Sequence, residues 1–334
     1  MISLRVGLSG AGPAGVDIVE QVRIHEHCDV VAVHDARPGL AAELARGCDL
    51  GIATEDFAEL LGTGVDFVVL AGPLQDRIAQ VQACVEQSVP VLLHAPMAAD
   101  LTTARQIHEL GEQHGVRIGV YVRAQGDPVV EQLRRMIAAD WLGGVVCVQA
   151  ITGDDELLRT GRVSSRDNLF VTHASQQLHL TSWLTGRTVH SVTAQTTGSF
   201  SPGVDDGGVA TLMLRGNVSC SYLVSRLTRA DAFAIHGTDG GLRIAGDRIW
   251  LSGQHPFKGH VFDYLTPGIE QVLSRADLQK ALQTHRKTSE LHGRFARWLE
   301  DTDDFPCPSE QAVLDFEGIA AMRLAAEEQR TVDL

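Results

Sequence analysis

The chain has 334 residues, a formal charge of −14, 44% hydrophobic and 21% charged residues, the make-up of a globular protein with room for two domains. No apolar run approaches the ~20 residues of a membrane helix, and the acidic balance offers no basic surplus for a nucleic-acid backbone. The six cysteines lack the Cys-x-x-Cys spacing of a zinc site or a disulfide framework, so the expectation is a cytoplasmic protein without metal, membrane or nucleic-acid partners and without a leader ahead of its first strand.

In chain order, residues 4–8 predict a buried strand, 14–22 a helix, 29–34 a second strand and 66–71 another. Residues 76–87 and 102–114 predict helices, the second capped by Asp100, and they alternate with strands at 91–94 and 116–122. Continuous apolar strands separated by helices imply βαβ units and a doubly wound parallel sheet. A helix at 129–139 then leads into β-like stretches at 145–150, 190–196, 209–214, 219–225, 232–236 and 242–251. Gly- and Asp-rich turns join them, which predicts a mostly antiparallel sheet. One helix is expected at 169–185, and two more at 288–300 and 309–328. The fold class is therefore α/β: a Rossmann-type domain over residues 1–122, then an α+β domain with an open sheet over 123–334.

Gly10-Ala11-Gly12-Pro13-Ala14-Gly15 forms a complete G-x-G-x-x-G between the first strand and the first helix. In that context the glycines allow a tight turn, close approach of a pyrophosphate and close packing of the helix, whose N-terminus faces the phosphates. Asp35 stands 20 residues after Gly15 at the end of the second strand, where a carboxylate accepts from a ribose 2′-hydroxyl. It favours NAD over NADP by repelling a 2′-phosphate, while Arg37 offers such a phosphate a partner. His34 beside it reads as strand-end packing.

These features resemble the Gfo/Idh/MocA family of NAD(P)-dependent oxidoreductases over nearly the whole chain. The resemblance runs through Val69-Leu-Ala71-Gly72-Pro73, Val91-Leu-Leu-His94-Ala95-Pro96-Met97, the helix ending Trp183-Leu-Thr-Gly186, and the stretch 295–320. It implies a Rossmann domain and an open-sheet domain with the active site between them, a small polar substrate such as a sugar or cyclitol, and a homodimer or homotetramer. It further implies cofactor contacts from Ala71, Gly72, Pro73, His94, Ala95 and Arg123, with Tyr121 near nicotinamide or substrate.

The family's Glu-Lys-Pro lysine handles a substrate proton, but Ala95 stands there, His94 replaces the glutamate, and the first lysine of the chain is Lys258. The family's Asp-x-x-x-His pair and following Asp align with Thr172, Gln176 and His179, four and three residues apart on one expected helical face. Gln176 can orient a substrate without taking a proton. His173 and His179 are the candidate acid–base groups. Within the oxidoreductase reading the substrate bond is a hydroxyl-bearing carbon or an activated C=N or C=C, and two other readings stand beside it: a non-catalytic dinucleotide-binding regulator, and a redox-neutral enzyme that retains its NAD. The loop 254–260, with His255, Lys258 and His260, reads as a solvated turn.

Overall fold

A computed structural model describes residues 3–23, 28–160, 168–200, 203–254, 268–281 and 291–334. Most of the loop 254–260, including His255, Lys258 and His260, lies outside them, as does the start of the helix expected at 288–300. The first elements are β1 (Leu4–Ser9), α1 (Pro13–Arg23), β2 (Cys28–His34), α2 (Leu40–Cys48), β3 (Ile52–Thr54) and α3 (Phe57–Gly62). There follow β4 (Phe67–Leu70), α4 (Arg77–Glu86), β5 (Val91–His94), α5 (Leu101–His114) and β6 (Ile118–Tyr121). The next stretch holds α6 (Pro128–Ala138), β7 (Val145–Gly153), α7 (Glu156–Thr160), α8 (Leu169–His173) and α9 (Ser175–Thr185). Strands β8 (Val189–Thr197), β9 (Gly207–Leu214), β10 (Val218–Ser225), β11 (Ala230–Gly237), β12 (Gly240–Ala245), β13 (Arg248–Gly253) and β14 (Gln271–Ser274) come next. The chain closes with α10 (Arg275–Ala281), α11 (Leu291–Leu299), α12 (Ser309–Glu328) and β15 (Val332–Asp333). No helix among the described residues is long and apolar enough to cross a membrane.

Two compact units form: residues 1–126 with 288–313, and residues 127–287 with 314–334. The first carries a six-stranded sheet in the order β3-β2-β1-β4-β5-β6, every pair parallel. Strands β4 and β6 are buried along their whole length, as expected where helices cover both faces. Asp100 caps α5 by accepting from the Thr103 N–H at 2.8 Å, and Gly115 ends that helix at φ 64°. The return of the chain to this unit is outside a linear division at residue 122. Aromatic packing holds it: Phe295 of α11 meets Phe67 and Phe305 edge-on, with centroids 5.2 and 5.3 Å apart. A Cβ on Gly119 would stand 2.7 Å from the Phe305 ring, so β6 can bear this layer only where it lacks a side chain.

The second unit carries a nine-stranded sheet in the order β14-β13-β12-β11-β7-β10-β9-β8-β15. Its single parallel pair among the described strands is β7 with β10. Alternation is plain in β10, where Val218, Cys220, Tyr222 and Val224 face inward. Gly318 lets α12 close on Leu178 and Val189, since a Cβ there would meet both within 2.8 Å.

Two expectations need correction. Residues 242–251 are not one stretch but the facing parts of β12 and β13, reversed at Gly246, whose φ of 57° a glycine adopts without strain. The helix expected at 169–185 is two, interrupted at Ala174, so Thr172 does not share a continuous helix with Gln176 and His179. Asn168 caps α8 through the N–H groups of Phe170 and Val171, and the Ala174 N–H still reaches the Phe170 carbonyl at 2.8 Å before α9 restarts. Elements α2, β3 and α3 escaped the sequence reading because they are short and β3 is largely exposed.

Candidate functional site

The strand order of the first unit reverses between β1 and β4, and the Gly-rich turn sits at that point, where open α/β sheets bind ligands. Gly10 has φ 113°, and a Cβ on it would lie 2.6 Å from the Gly72 nitrogen. A Cβ on Gly15 would lie 2.3 Å from the Gly10 carbonyl oxygen, so the third glycine is what lets α1 pack against the turn. Gly12 differs, because a Cβ there would meet only Arg37 Nη2 at 3.8 Å, and its backbone therefore borders open space. Pro13 opens α1 with no N–H to leave unpaired. Gly10 thus packs against Ala71 and Gly72, which follow β4, while the turn at Gly12 is left open.

Asp35 marks its rim. The side chain is 4% exposed, and Oδ2 accepts from the Ala11 N–H at 2.8 Å, tying the second strand to the turn. Arg37 grips the same carboxylate with Nε on Oδ1 at 2.9 Å and Nη2 on Oδ2 at 2.7 Å, and its backbone N–H donates to Oδ1 at 3.0 Å. The guanidinium first, then the backbone donors, hold this carboxyl well below the usual carboxylate range against the cost of burial. Behind it His34 is buried, and burial pushes its imidazole toward the neutral form more than Asp35 favours the charged one. Gln80 donates to Ser9 Oγ at 2.9 Å, and Ser9 pairs with His34 Nδ1 at 2.9 Å, so His34 packs the strand end as its sequence position suggests.

At the same sheet edge, His94 ends β5 and Tyr121 ends β6. Their rings stack at 5.1 Å and 20°, and His292 of α11 stacks on the far side of Tyr121 at 4.9 Å and 27°. The Tyr121 hydroxyl donates to Gln21 Oε1 at 2.6 Å. Burial first, then the charges of Arg77 and Arg123, pushes the His94 imidazole down to about 4, so it is neutral near pH 7. Ala95 is buried and its N–H donates to the Tyr121 carbonyl at 3.1 Å, while Arg123 is exposed.

In the second unit, His179 is 0% exposed and its Nδ1 lies 2.6 Å from Asp315 Oδ2 on α12. Beside it, Thr181 Oγ1 and the Tyr222 hydroxyl are 2.5 Å apart, and burial raises that phenol well above its ordinary value. His173 Nε2 is 3.8 Å from Asp154 Oδ2 at the end of β7. Burial pushes the His173 imidazole down, Asp154 opposes, and Arg226 adds to the fall. Gln176 is half-buried, whereas Thr172 is exposed and spends its hydroxyl on the Asn168 carbonyl at 2.9 Å. The structure thus gives each candidate histidine a carboxylate neighbour that sequence reasoning missed. Asp315 lies 136 positions from His179, and no local pattern announces it.

Two family models match the chain. Residues 4–122 match a model described as an oxidoreductase family with an NAD-binding Rossmann fold, and residues 130–243 match the GFO/IDH/MocA C-terminal domain. The myo-inositol dehydrogenase Hyg17 of Streptomyces leeuwenhoekii is 28% identical over 173 residues, which cover 50% of this chain and 53% of that protein. Inositol 2-dehydrogenase 1 of Saccharopolyspora erythraea is 30% identical over 205 residues, 60% of each chain. The chain therefore spans about half the length of the curated relatives it matches. Among solved structures, the WlbA dehydrogenase of Bordetella pertussis in complex with NADH and UDP-GlcNAcA has a TM-score of 0.84 at 18% identity, covering 99% of this chain and 98% of that one. The scyllo-inositol dehydrogenase of Lactobacillus casei with bound NAD(H) and scyllo-inositol gives 0.76 at 15% identity, covering 99% of both. These two likenesses are of fold.

Proposed function

The chain belongs to the Gfo/Idh/MocA family, and on that premise we propose that it is a nicotinamide-dependent oxidoreductase moving hydride to or from a small polar metabolite of the sugar or cyclitol class. The observation that carries the reading is the Gly10–Gly15 cradle with Asp35 fixed at its rim by the Ala11 N–H. The dinucleotide supplies the hydride donor or acceptor. The Gly12 and Ala14 N–H groups would hold its pyrophosphate, those of Gly10 and Ala11 being bonded to the His34 carbonyl and to Asp35, and Asp35 would accept from the adenosine ribose. NAD is preferred over NADP, with Arg37 as the residue that admits a 2′-phosphate.

The substrate proton passes to a histidine rather than to the lysine this chain lacks. His179, with Asp315 on its Nδ1 as orienting partner, is one candidate for that role, although its ring is 0% exposed. His173 beside Asp154 is the alternative proton carrier, and Gln176 orients substrate. Tyr121 belongs to the cofactor wall, its hydroxyl already committed to Gln21. The 123–334 region supplies substrate contacts, and the assembly is a cytoplasmic homodimer or homotetramer, which light scattering tests.

Thermal unfolding with NAD, NADH, NADP and NADPH tests the cofactor. A ligand at a hundred times its Kd stabilises the folded chain by about 2.7 kcal/mol. Turnover is then screened on inositols and aldoses, and Gln at His179 or His173 should lower kcat about 10²–10⁴-fold without weakening cofactor binding. The buried methyl of Ala95 favours a second reading, a dinucleotide-binding regulator. Tight cofactor binding with no turnover on any polyol, aldose or imine would establish that reading instead.

A further inference from the structure

Arg77 opens α4 and is 3% exposed, with no carboxylate paired to it among the described residues. A buried guanidinium without a counter-ion is retained only where other groups satisfy it. Its Nη1 donates to the carbonyl oxygen of His94 at 2.7 Å and also to that of Pro96. Those two carbonyls bracket Ala95. Its Nε has no hydrogen-bond partner among the described residues, so what holds the side chain is this one backbone turn.

The turn carries the His94 ring. Tyr121 and His292 back the ring as a stack, and its Nδ1 lies 3.3 Å from the Ala95 carbonyl oxygen. The charged groups acting on it are Arg77 from α4, Arg123 from the turn after β6 and Asp17 from α1. A neutral imidazole with its proton on Nδ1 leaves Nε2 with a lone pair. The C-terminal edge of a parallel sheet is where such an acceptor meets a ligand.

We propose that Arg77 is a positioning residue for His94: by clamping the carbonyls on both sides of Ala95 it presents Nε2 as acceptor for a hydrogen-bond donor on the nicotinamide half of the bound dinucleotide, a carboxamide N–H or a ribose hydroxyl. This rests on the reading that the Gly10–Gly15 turn binds the dinucleotide.

The test follows the His94 ring protons by NMR in the cofactor-free full-length chain, assigned by their loss in His94→Gln, alongside NADH and ADP-ribose affinities from pH 5 to 8. In the wild type the ring should stay neutral down to pH 5 and NADH affinity should be flat. In Arg77→Met the ring should titrate higher than in the wild type, burial still holding it below 6.5, and NADH affinity should be weaker because the unclamped turn no longer fixes the acceptor. Arg77→Lys should restore most of the wild-type behaviour, and it carries the test if Arg77→Met does not fold. His94→Phe should weaken NADH about tenfold throughout. ADP-ribose lacks the carboxamide, so its affinity is unchanged in His94→Phe if the donor is the carboxamide and weakened alike if it is the ribose. A folded Arg77→Met with wild-type ring titration and wild-type NADH affinity overturns the proposal. Failure of the wild type to bind either ligand overturns the dinucleotide reading beneath it.

Discussion

Replacing Arg37 by alanine should improve NAD binding, although it deletes a residue at the cofactor rim. The Asp35 carboxylate has about four acceptor positions. Ala11, the Arg37 backbone and two guanidinium nitrogens fill them at 2.7–3.0 Å. For Asp35 to accept from a ribose diol, the guanidinium must let go. It is 58% exposed, so its grip is that of a screened surface pair, about 1 kcal/mol. Removing the competitor should therefore tighten NAD by about fivefold, at 1.4 kcal/mol per decade. NADP should respond oppositely. A 2′-phosphate loses a charge-assisted partner worth about 1.5–3 kcal/mol and faces an unneutralised Asp35, so its affinity should drop by about tenfold to a hundredfold. Calorimetric titration of both cofactors at fixed ionic strength reads the two effects. Weaker NAD binding, or unchanged NADP binding, in a folded Arg37→Ala chain would refute the reasoning.

Other consequences are as direct. Gly15→Ala drives a Cβ to within 2.3 Å of the Gly10 carbonyl; melting should register a loss of about 1–3 kcal/mol, and dinucleotides should no longer raise the melting temperature. His94 has a folded-state value of about 4 against 6.5, so the unfolded chain binds more protons between those limits. Its stabilisation is complete above about pH 6.5 and about 3 kcal/mol is lost as pH falls toward 4, a loss that urea titrations of His94→Gln should lack. Asp315→Asn removes a buried 2.6 Å charge-assisted contact with His179 and should cost about 1.5–3 kcal/mol by denaturant melts. Burial pushes the thiols of Cys28, Cys84 and Cys220 up to about 12. The thiolate is the reactive form, so mass-spectrometric mapping after native labelling at pH 8 should find these three unmodified while half-buried Cys48 and Cys147 react.

The sequence by itself determined the dinucleotide cradle. The glycine spacing, the strand before it, the helix after it and Asp35 all lie within about forty residues, and each acts through backbone geometry that local identity dictates. It also determined that a lysine is missing, because absence from a stretch of chain needs no coordinates. Tertiary structure alone decided what surrounds the candidate residues. Asp315 reaches His179, His292 reaches Tyr121 and Arg77 reaches the His94–Pro96 turn only because α12, α11 and α4 pack where they do. The interruption at Ala174 that separates Thr172 from Gln176 is likewise invisible to periodicity, which counts residues as though the helix were unbroken. Contacts between distant segments depend on packing over the whole unit, and no motif of a few residues encodes them.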